Sequence, residues 1–208
     1  MNFNDALNWR YAVRQFAETK LTEQQLQPLI DSVRLSASSY GMQPYRLLII
    51  ESEAVKRDLL PFSYGQNKVV DCSHLLVLVH RTEVNQAEID DYISDLANSQ
   101  GIPAENLAGY HNVISGDLLS RSKEQQAQWA REQAHIALGK LLSAAAINQI
   151  DSCPMTGFDI EGVNSVLGLN EQGLSAAIFC PVGIRSEHDS AAARPKFRKQ
   201  YTDVVTTL

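Results

Sequence analysis

Hydrophobic positions along this chain switch between a helical and a strand-like period, and the switches outline most of its elements. Leu26, Leu29, Ile30 and Val33 recur on one helical face, and Thr22-Glu23-Gln24-Gln25 just ahead has capping-box spacing. Pro28 falls inside that pattern, where it costs the helix a hydrogen bond or shifts its start. Residues 45–51 and 74–80 are short apolar runs with polar boundaries, the pattern of buried strands, with a short helix expected between them at 52–60. Residues 85–98 read as a mostly polar helix whose thin apolar side is Tyr92, Ile93 and Leu96. Residues 101–116 follow neither period and are expected to form an irregular excursion or lid.

Ser122-Lys123-Glu124-Gln125 repeats the capping signature and opens the longest helix, to about residue 148; at ~1.5 Å per residue it spans about 40 Å. Its second half, from Ala134 through Leu141, Leu142 and Ile147, is apolar on most sides, so it must be buried on most sides, by a central core or by a second subunit. A turn at 151–158, a short helix and a strand at 174–184 complete the core, and 186–199 is a polar, basic arm. Helices and strands mix without a repeat or a dividing linker. The expectation is therefore a single α+β domain over residues 1–208, with a central sheet flanked by helices.

Composition narrows the partners. At 208 residues, 44% hydrophobic and 20% charged, the chain is apolar enough to build a sizeable core. A formal net charge of -6 without a long Lys/Arg run argues against general nucleic-acid binding, so any anionic ligand must meet a local basic cluster. The longest apolar runs, such as 75–79, are far too short to span a bilayer, and Asn4 and Asp5 stand where a secretory signal carries basic residues. Cys72, Cys153 and Cys180 have neither metal-ligand nor CxxC spacing and are expected to be buried thiols. The expectation is a soluble, cytoplasmic protein with no membrane, nucleic-acid or metal partner. No nucleophile constellation stands out either, since His74, His80, His111, His135 and His188 have no evident Ser or Cys partner.

Candidate chemistry gathers in five segments. Ser36-Ala37-Ser38-Ser39-Tyr40-Gly41-Met42-Gln43-Pro44 places small residues, hydroxyls and an amide between a helix and a strand. Gly41 opens backbone angles closed to other residues, Ser38 and Ser39 leave little bulk, and Gln43 offers a donor and an acceptor together. Such a loop suits the edge of a planar heterocycle; it also suits an ordinary helix-to-strand turn. Arg10 and Arg14 point the same way if their segment is helical, and Lys196 and Arg198 share one face of an extended arm. Lys68 follows Gln66 and Asn67 just before the second strand. Solvated surface charge paired with carboxylates is the plain alternative for all of these. The turn Cys153-Pro154-Met155-Thr156-Gly157-Phe158 can present the backbone N–H groups of Thr156 and Gly157 to a ligand edge.

Taken in order, these landmarks resemble the FMN-dependent nitroreductase family, in particular its oxygen-insensitive NAD(P)H nitroreductase and flavin reductase branch. The resemblance rests on Arg10-Tyr11-Ala12-Val13-Arg14, the 36–44 loop, Asp71-Cys72-Ser73-His74 leading into a strand, and Gln133 in the long helix. It continues through Pro154-Met155-Thr156-Gly157-Phe158, Pro181-Val182-Gly183 and Lys196-Phe197-Arg198, so it covers nearly the whole chain. It implies a central, mostly antiparallel sheet in an intertwined homodimer, with FMN at the interface. Carried over by position, Arg10, Lys196 and Arg198 would hold the phosphate, and Arg14 and Lys68 would approach the flavin N1/O2 edge. Ser38, Ser39 and Gln43, with Ala37 and Gly41 in the same loop, would come from the partner subunit. Thr156 and Gly157 would donate backbone hydrogen bonds to the N5/O4 edge. Tyr11, Ala12, Gln66, Pro154 and Met155 would complete the lining, with Gln133 facing the ring.

The implied activity is ping-pong transfer of two electrons from NAD(P)H to nitroaromatics, quinones or flavins, with the difficult chemistry carried by the cofactor and no side-chain catalyst. Residues 101–116, with Tyr110 and His111, are the candidate substrate-side wall. An FMN carrier or sensor with little turnover, and a generic anion-binding α+β domain, are the competing readings. The chain departs from the family at Ala12, where a serine is frequent, at Gly41, where asparagine is frequent, and at Thr156, where that branch usually has an acidic residue. These departures bear on the acceptor and on the choice between NADH and NADPH.

Overall fold

The computed structural model describes residues 1–208. Its helices are α1 (Phe3–Trp9), α2 (Glu23–Arg34), α3 (Glu53–Leu59), α4 (Lys68–Asp71), α5 (Gln86–Gln100), α6 (Ala108–Leu118), α7 (Lys123–Ile147), α8 (Ile160–Leu167) and α9 (Tyr201–Val204). Its strands are β1 (Tyr45–Ile50), β2 (His74–Arg81), β3 (Asp151–Ser152) and β4 (Leu174–Gly183). They form one sheet in the order β1-β2-β4-β3, and every strand pairing is antiparallel.

The sheet is covered on both faces, and the period of two in β2 decides which residue goes where. Leu75, Val77 and Val79 join Phe179, Phe158, Leu59 and Val163 on the face covered by α3 and α8. Leu76 and Leu78 join Ile178, Cys180, Leu29, Val33, Ala137 and Leu141 on the face covered by α2 and α7. The pairing of β2 with β4 slips between Leu78 and Val79, and this bulge turns Ala177 and Ile178 to the same side. A smaller third cluster, Ile89, Ile93, Ile114, Leu118 and Trp129, lies outside the sheet, where α5 and α6 pack on the start of α7.

Local signals account for the helix starts. Thr22, Asn85 and Ser122 each close a reciprocal capping box with the residue three positions on. Helix α2 still begins at Glu23, so Pro28 costs it a bond without moving its start. Three expectations are corrected. Residues 101–116 are not irregular: after one 3-10 turn at Ala104–Leu107 they form α6, whose apolar side faces α5 and α7 instead of the sheet. The segment from Arg10 to Arg14 is not helical, because α1 ends at Trp9 and Arg10 is already extended (φ -70°, ψ 140°). Residues 151–155 are not a free turn but run along the edge of β4, with Cys153 donating to the Pro181 carbonyl (3.0 Å) and Met155 to the Phe179 carbonyl (2.7 Å). The three cysteines are buried and unpaired. No helix is long and apolar enough to cross a membrane.

One close approach ties the fold to the 154–158 segment. The Phe62 ring lies where a Cβ on Gly162 of α8 would sit, 1.9 Å from its Cδ1, and the Phe62 carbonyl accepts from the Asp159 N–H at 2.8 Å. Gly162→Ala must therefore displace a packed ring, at about 1–3 kcal/mol, against a helix-propensity gain of about 1 kcal/mol. A lower urea midpoint is expected; an unchanged or higher one would refute this packing.

Candidate functional site

Arg10, Lys196 and Arg198 come together although 186 or more positions separate the first from the others. Burial, then the charge of Arg198, lowers the pKa of Arg10; burial, then Arg10 and Arg198, lowers that of Lys196. The arm is tied down by Lys196, whose ammonium donates to the carbonyls of Leu7 (2.7 Å) and Asn8 (2.8 Å) and so caps the end of α1 from far away in sequence. Arg10 Nε is buried and has no hydrogen-bond partner. None of Arg10, Arg14, Lys68, Lys196 and Arg198 forms an ion pair. In a protein of net charge -6 that is an uncompensated cation cluster, the setting an anion requires.

The backbone that carries Arg10 and Arg14 is held by groups the sequence did not single out. Ala12 bridges to Ser152, Val13 enters the core, and the Arg14 N–H donates to Asp189 Oδ2 at 2.9 Å. Burial alone would raise the Asp189 carboxyl, but donation from Arg14, Ala191 and the Tyr11 hydroxyl outweighs it and holds the acid below its usual range. Burial and the same Asp189 contact push Tyr11 up to about 12. Arg185 lies 4.2 Å from the Trp9 ring centre and 4.6 Å from that of Tyr11, with its Nε on Asp151 Oδ1 at 2.8 Å. These contacts flank Arg10 on both sides in sequence. No spacing could have revealed them, since 34 positions separate Asp151 from Arg185 and 178 separate Tyr11 from Asp189.

A second group forms where the 154–157 segment meets the start of α4. Gln66 Nε2 donates to the carbonyls of Ser63 and Gly157, each at 3.1 Å, which ties the chain just ahead of α4 to that segment. Lys68 is only 9% exposed. Pro154 and Met155 follow the edge of β4, whereas Thr156 and Gly157 are exposed and their N–H groups have no acceptor within the chain. A Cβ on Gly157 would meet nothing within 4 Å, so its backbone stands open to a ligand.

The 36–44 loop is a tight knot with three left-handed positions, Tyr40 (φ 58°), Gly41 (φ 78°) and Gln43 (φ 45°). The two non-glycine positions cost about 1 kcal/mol or more each. Hydrogen bonds offset this: Gln43 N donates to Ser38 Oγ (2.9 Å), Gln43 Nε2 to the Arg34 carbonyl (2.8 Å), and Ser39 N to Gln133 Oε1 (2.8 Å). Gln133 is buried and its Nε2 is committed to the Trp129 carbonyl (3.1 Å), so within the chain it braces this loop. The Ser39 hydroxyl makes no contact of this kind, and Ala37 and Gly41 are exposed.

Register places these groups relative to one another. The cation cluster lies at the His74 end of β2, since Ala12 bridges to Ser152, Ser152 pairs with Val182, and Val182 pairs with His74. The 36–44 loop lies at the other end, since Tyr45 pairs with His80 and the Pro44 carbonyl accepts from Arg81. Six residues of strand put about 20 Å between them. One chain thus brings Arg10, Lys196 and Arg198 together, and Gln66 against Gly157, but it does not bring the loop to the cations.

Comparison with known proteins agrees with this arrangement of elements. Residues 7–184 match the model of the Nitroreductase family. A Staphylococcus saprophyticus protein provisionally named an NAD(P)H nitroreductase is 28% identical over 213 residues, covering 98% of this chain and 95% of its own length. A Bacillus subtilis crystal structure, provisionally a nitroreductase, superposes with a TM-score of 0.88 at 21% identity over 99% of this chain and 98% of that one. A provisional nitroreductase from Exiguobacterium sibiricum, solved in complex with FMN, gives a TM-score of 0.85 at 19% identity over 100% and 98%. At those identities the solved structures establish the fold, and the family match, which covers most of the sequence, establishes descent. This chain belongs to the nitroreductase family.

Proposed function

We propose that this chain binds FMN between two copies of itself and acts as an NAD(P)H-dependent oxidoreductase. The observation that carries the reading is the uncompensated cluster of Arg10, Lys196 and Arg198, with a buried Arg10 Nε that nothing in the chain satisfies. A phosphate dianion supplies both the missing acceptor and the missing charge. The fit extends further. Thr156 and Gly157 offer free N–H donors suited to the N5/O4 edge, and Lys68 and Arg14 offer unpaired positive charge suited to the N1/O2 edge. FMN held there would supply the redox chemistry of a two-electron, ping-pong transfer from NAD(P)H to a nitroaromatic, quinone or flavin.

The chain's own residues bind, orient and tune. Arg10, Lys196 and Arg198 fix one end of the ligand. Lys68 and Arg14 favour the reduced, anionic form by charge. No acid side chain is required, because an open cleft lets water supply protons. Two copies are needed on this reading, since the loop and the cations lie at opposite ends of one sheet and a dimer can bring the loop of one chain to the cations of the other. Unsatisfied apolar surface favours pairing: Phe3 and Leu7 on α1, Ile136 and Ile147 on α7, and Phe197, Tyr201 and Val204 on the tail are all exposed. Strand β1 also presents an unpaired outer edge.

Purified protein should gain a flavin spectrum when FMN is added, lose its visible absorbance with NAD(P)H under anaerobic conditions, and regain it with menadione or a nitroarene. Absent flavin absorbance would sink the proposal; binding without bleaching would leave a carrier instead of an enzyme. Arg198→Ala should raise the FMN Kd about tenfold or more, as for a lost charge-assisted hydrogen bond, with little change in Tm, because the arm adds nothing to the core. Unchanged affinity would remove Arg198 from the phosphate site. Burial, Arg10 and Arg198 lower the pKa of Lys196, so as pH rises its charge is lost sooner than that of an ordinary lysine. FMN affinity should therefore fall on the alkaline side, and Lys196→Met should flatten that slope; equal slopes would exclude Lys196.

A further inference from the structure

The hydroxyls of Tyr92 and Tyr110 converge on one backbone atom of the 36–44 loop. Tyr92 of α5 donates to the Tyr40 carbonyl at 2.5 Å and Tyr110 of α6 donates to the same oxygen at 2.7 Å, filling both of its lone pairs. The Tyr40 ring packs edge-on against Tyr110, with centroids 6.3 Å apart. Its hydroxyl donates to Asp117 at 2.7 Å, and Arg121 grips both oxygens of that carboxylate. The next N–H, that of Gly41, donates to the Ser38 carbonyl at 3.0 Å, so the Tyr40–Gly41 peptide is fixed on both sides. Tyr40 needs such fixing, because it holds a left-handed backbone (φ 58°, ψ -4°) without being glycine.

Gly41 belongs to the same device. Its φ of +78° is also open to asparagine, so the backbone alone does not demand glycine. Space does: a Cβ at this position would lie 2.9 Å from the Tyr92 hydroxyl oxygen. A larger residue at 41 would push away the hydroxyl that holds Tyr40.

We propose that Tyr92 and Tyr110 are positioning residues, which lock the Tyr40–Gly41 peptide so that Ser38, Ser39 and Gln43 meet the flavin in one shape, and that Gly41 is present to admit the Tyr92 hydroxyl. This rests on the reading that the loop lines the FMN site. It gives the α5–α6 excursion a second task beside that of a substrate-side wall, namely bracing the cofactor loop. Tyr92, Tyr110, Asp117 and Arg121 act through Tyr40 and need not touch the ligand.

The test compares apo-protein melting with FMN affinity, the latter by fluorescence quenching well below Tm, in Tyr92→Phe, Tyr110→Phe, the double variant, Gly41→Asn, and Gly41→Asn with Tyr92→Phe. Losing one hydrogen bond to the loop should raise the FMN Kd about threefold to fivefold, and losing both should raise it more than tenfold. Gly41→Asn should weaken binding in the presence of Tyr92 and add little once Tyr92 is Phe. A lower Tm with FMN Kd within twofold of wild type overturns the positioning role, because a purely structural clamp does that. Independent, multiplying effects of Gly41→Asn and Tyr92→Phe overturn the link between those two. If the double variant does not fold, Tyr110→Phe alone decides by the same criterion. Wild-type protein that takes no FMN overturns this inference and the proposed function together; wild-type binding matched by every variant overturns this inference alone.

Discussion

Strand β2 is buried on both faces and hydrogen-bonded on both edges, and the candidate site is attached to its two ends. Moving its register by one residue would exchange Leu75, Val77 and Val79 with Leu76 and Leu78, turning both core faces inside out. That cost fixes where β1 begins and where β4 ends. It therefore fixes the 36–44 loop at the His80 end and the Arg10 segment at the His74 end. The separation of the loop from the cations is a consequence of core packing.

Charge is handled differently at the two ends. At the loop end it is compensated within the chain: Arg121 and Asp117 form a forked pair, and Arg81 meets Glu88 at 3.0 Å. At the cation end the carboxylates are spent on backbone N–H groups and on Arg185, not on Arg10, Arg14, Lys196 or Arg198. Asp189 accepts the N–H groups of Arg14 and Ala191, and Asp151 accepts from Arg185, which lies over Trp9 and Tyr11. The acids hold the shape of the segment and leave its basic side chains unpaired. The mutual repulsion of Arg10, Lys196 and Arg198 is then offset by no carboxylate of the chain.

The main elements were legible where a local rule and burial agree. The capping boxes at Thr22 and Ser122 mark two helix starts correctly, the polar helix expected at 85–98 is observed as α5, and the apolar runs of β1, β2 and β4 stand close to their observed bounds. Helix α6 was not legible, because its apolar residues Ile114 and Leu118 join a small cluster with α5 and the start of α7 away from the sheet, and two glycines interrupt its pattern. Helix α1 buries only Ala6, too little to leave a periodic signal. The edge pairing of 151–155 was missed because Pro154 and a two-residue strand read as a turn. Of the candidate site, the basic residues and the 36–44 loop were visible as residue types, while Gln133 as the brace of that loop was not.

By itself the sequence determined the α+β class, the period of each long element and the chemical inventory: which cations, hydroxyls and amides exist. Those follow from nearest-neighbour rules along the chain, such as capping, periodicity and turn chemistry. Only the tertiary structure decided that Arg10, Lys196 and Arg198 share one place without a carboxylate, that the loop lies at the far end of the sheet, and that two tyrosines fix its central carbonyl. Those relations join residues from 52 to 188 positions apart. They depend on strand register and helix docking, which are set by the burial of the whole core and leave no mark in any local stretch of sequence.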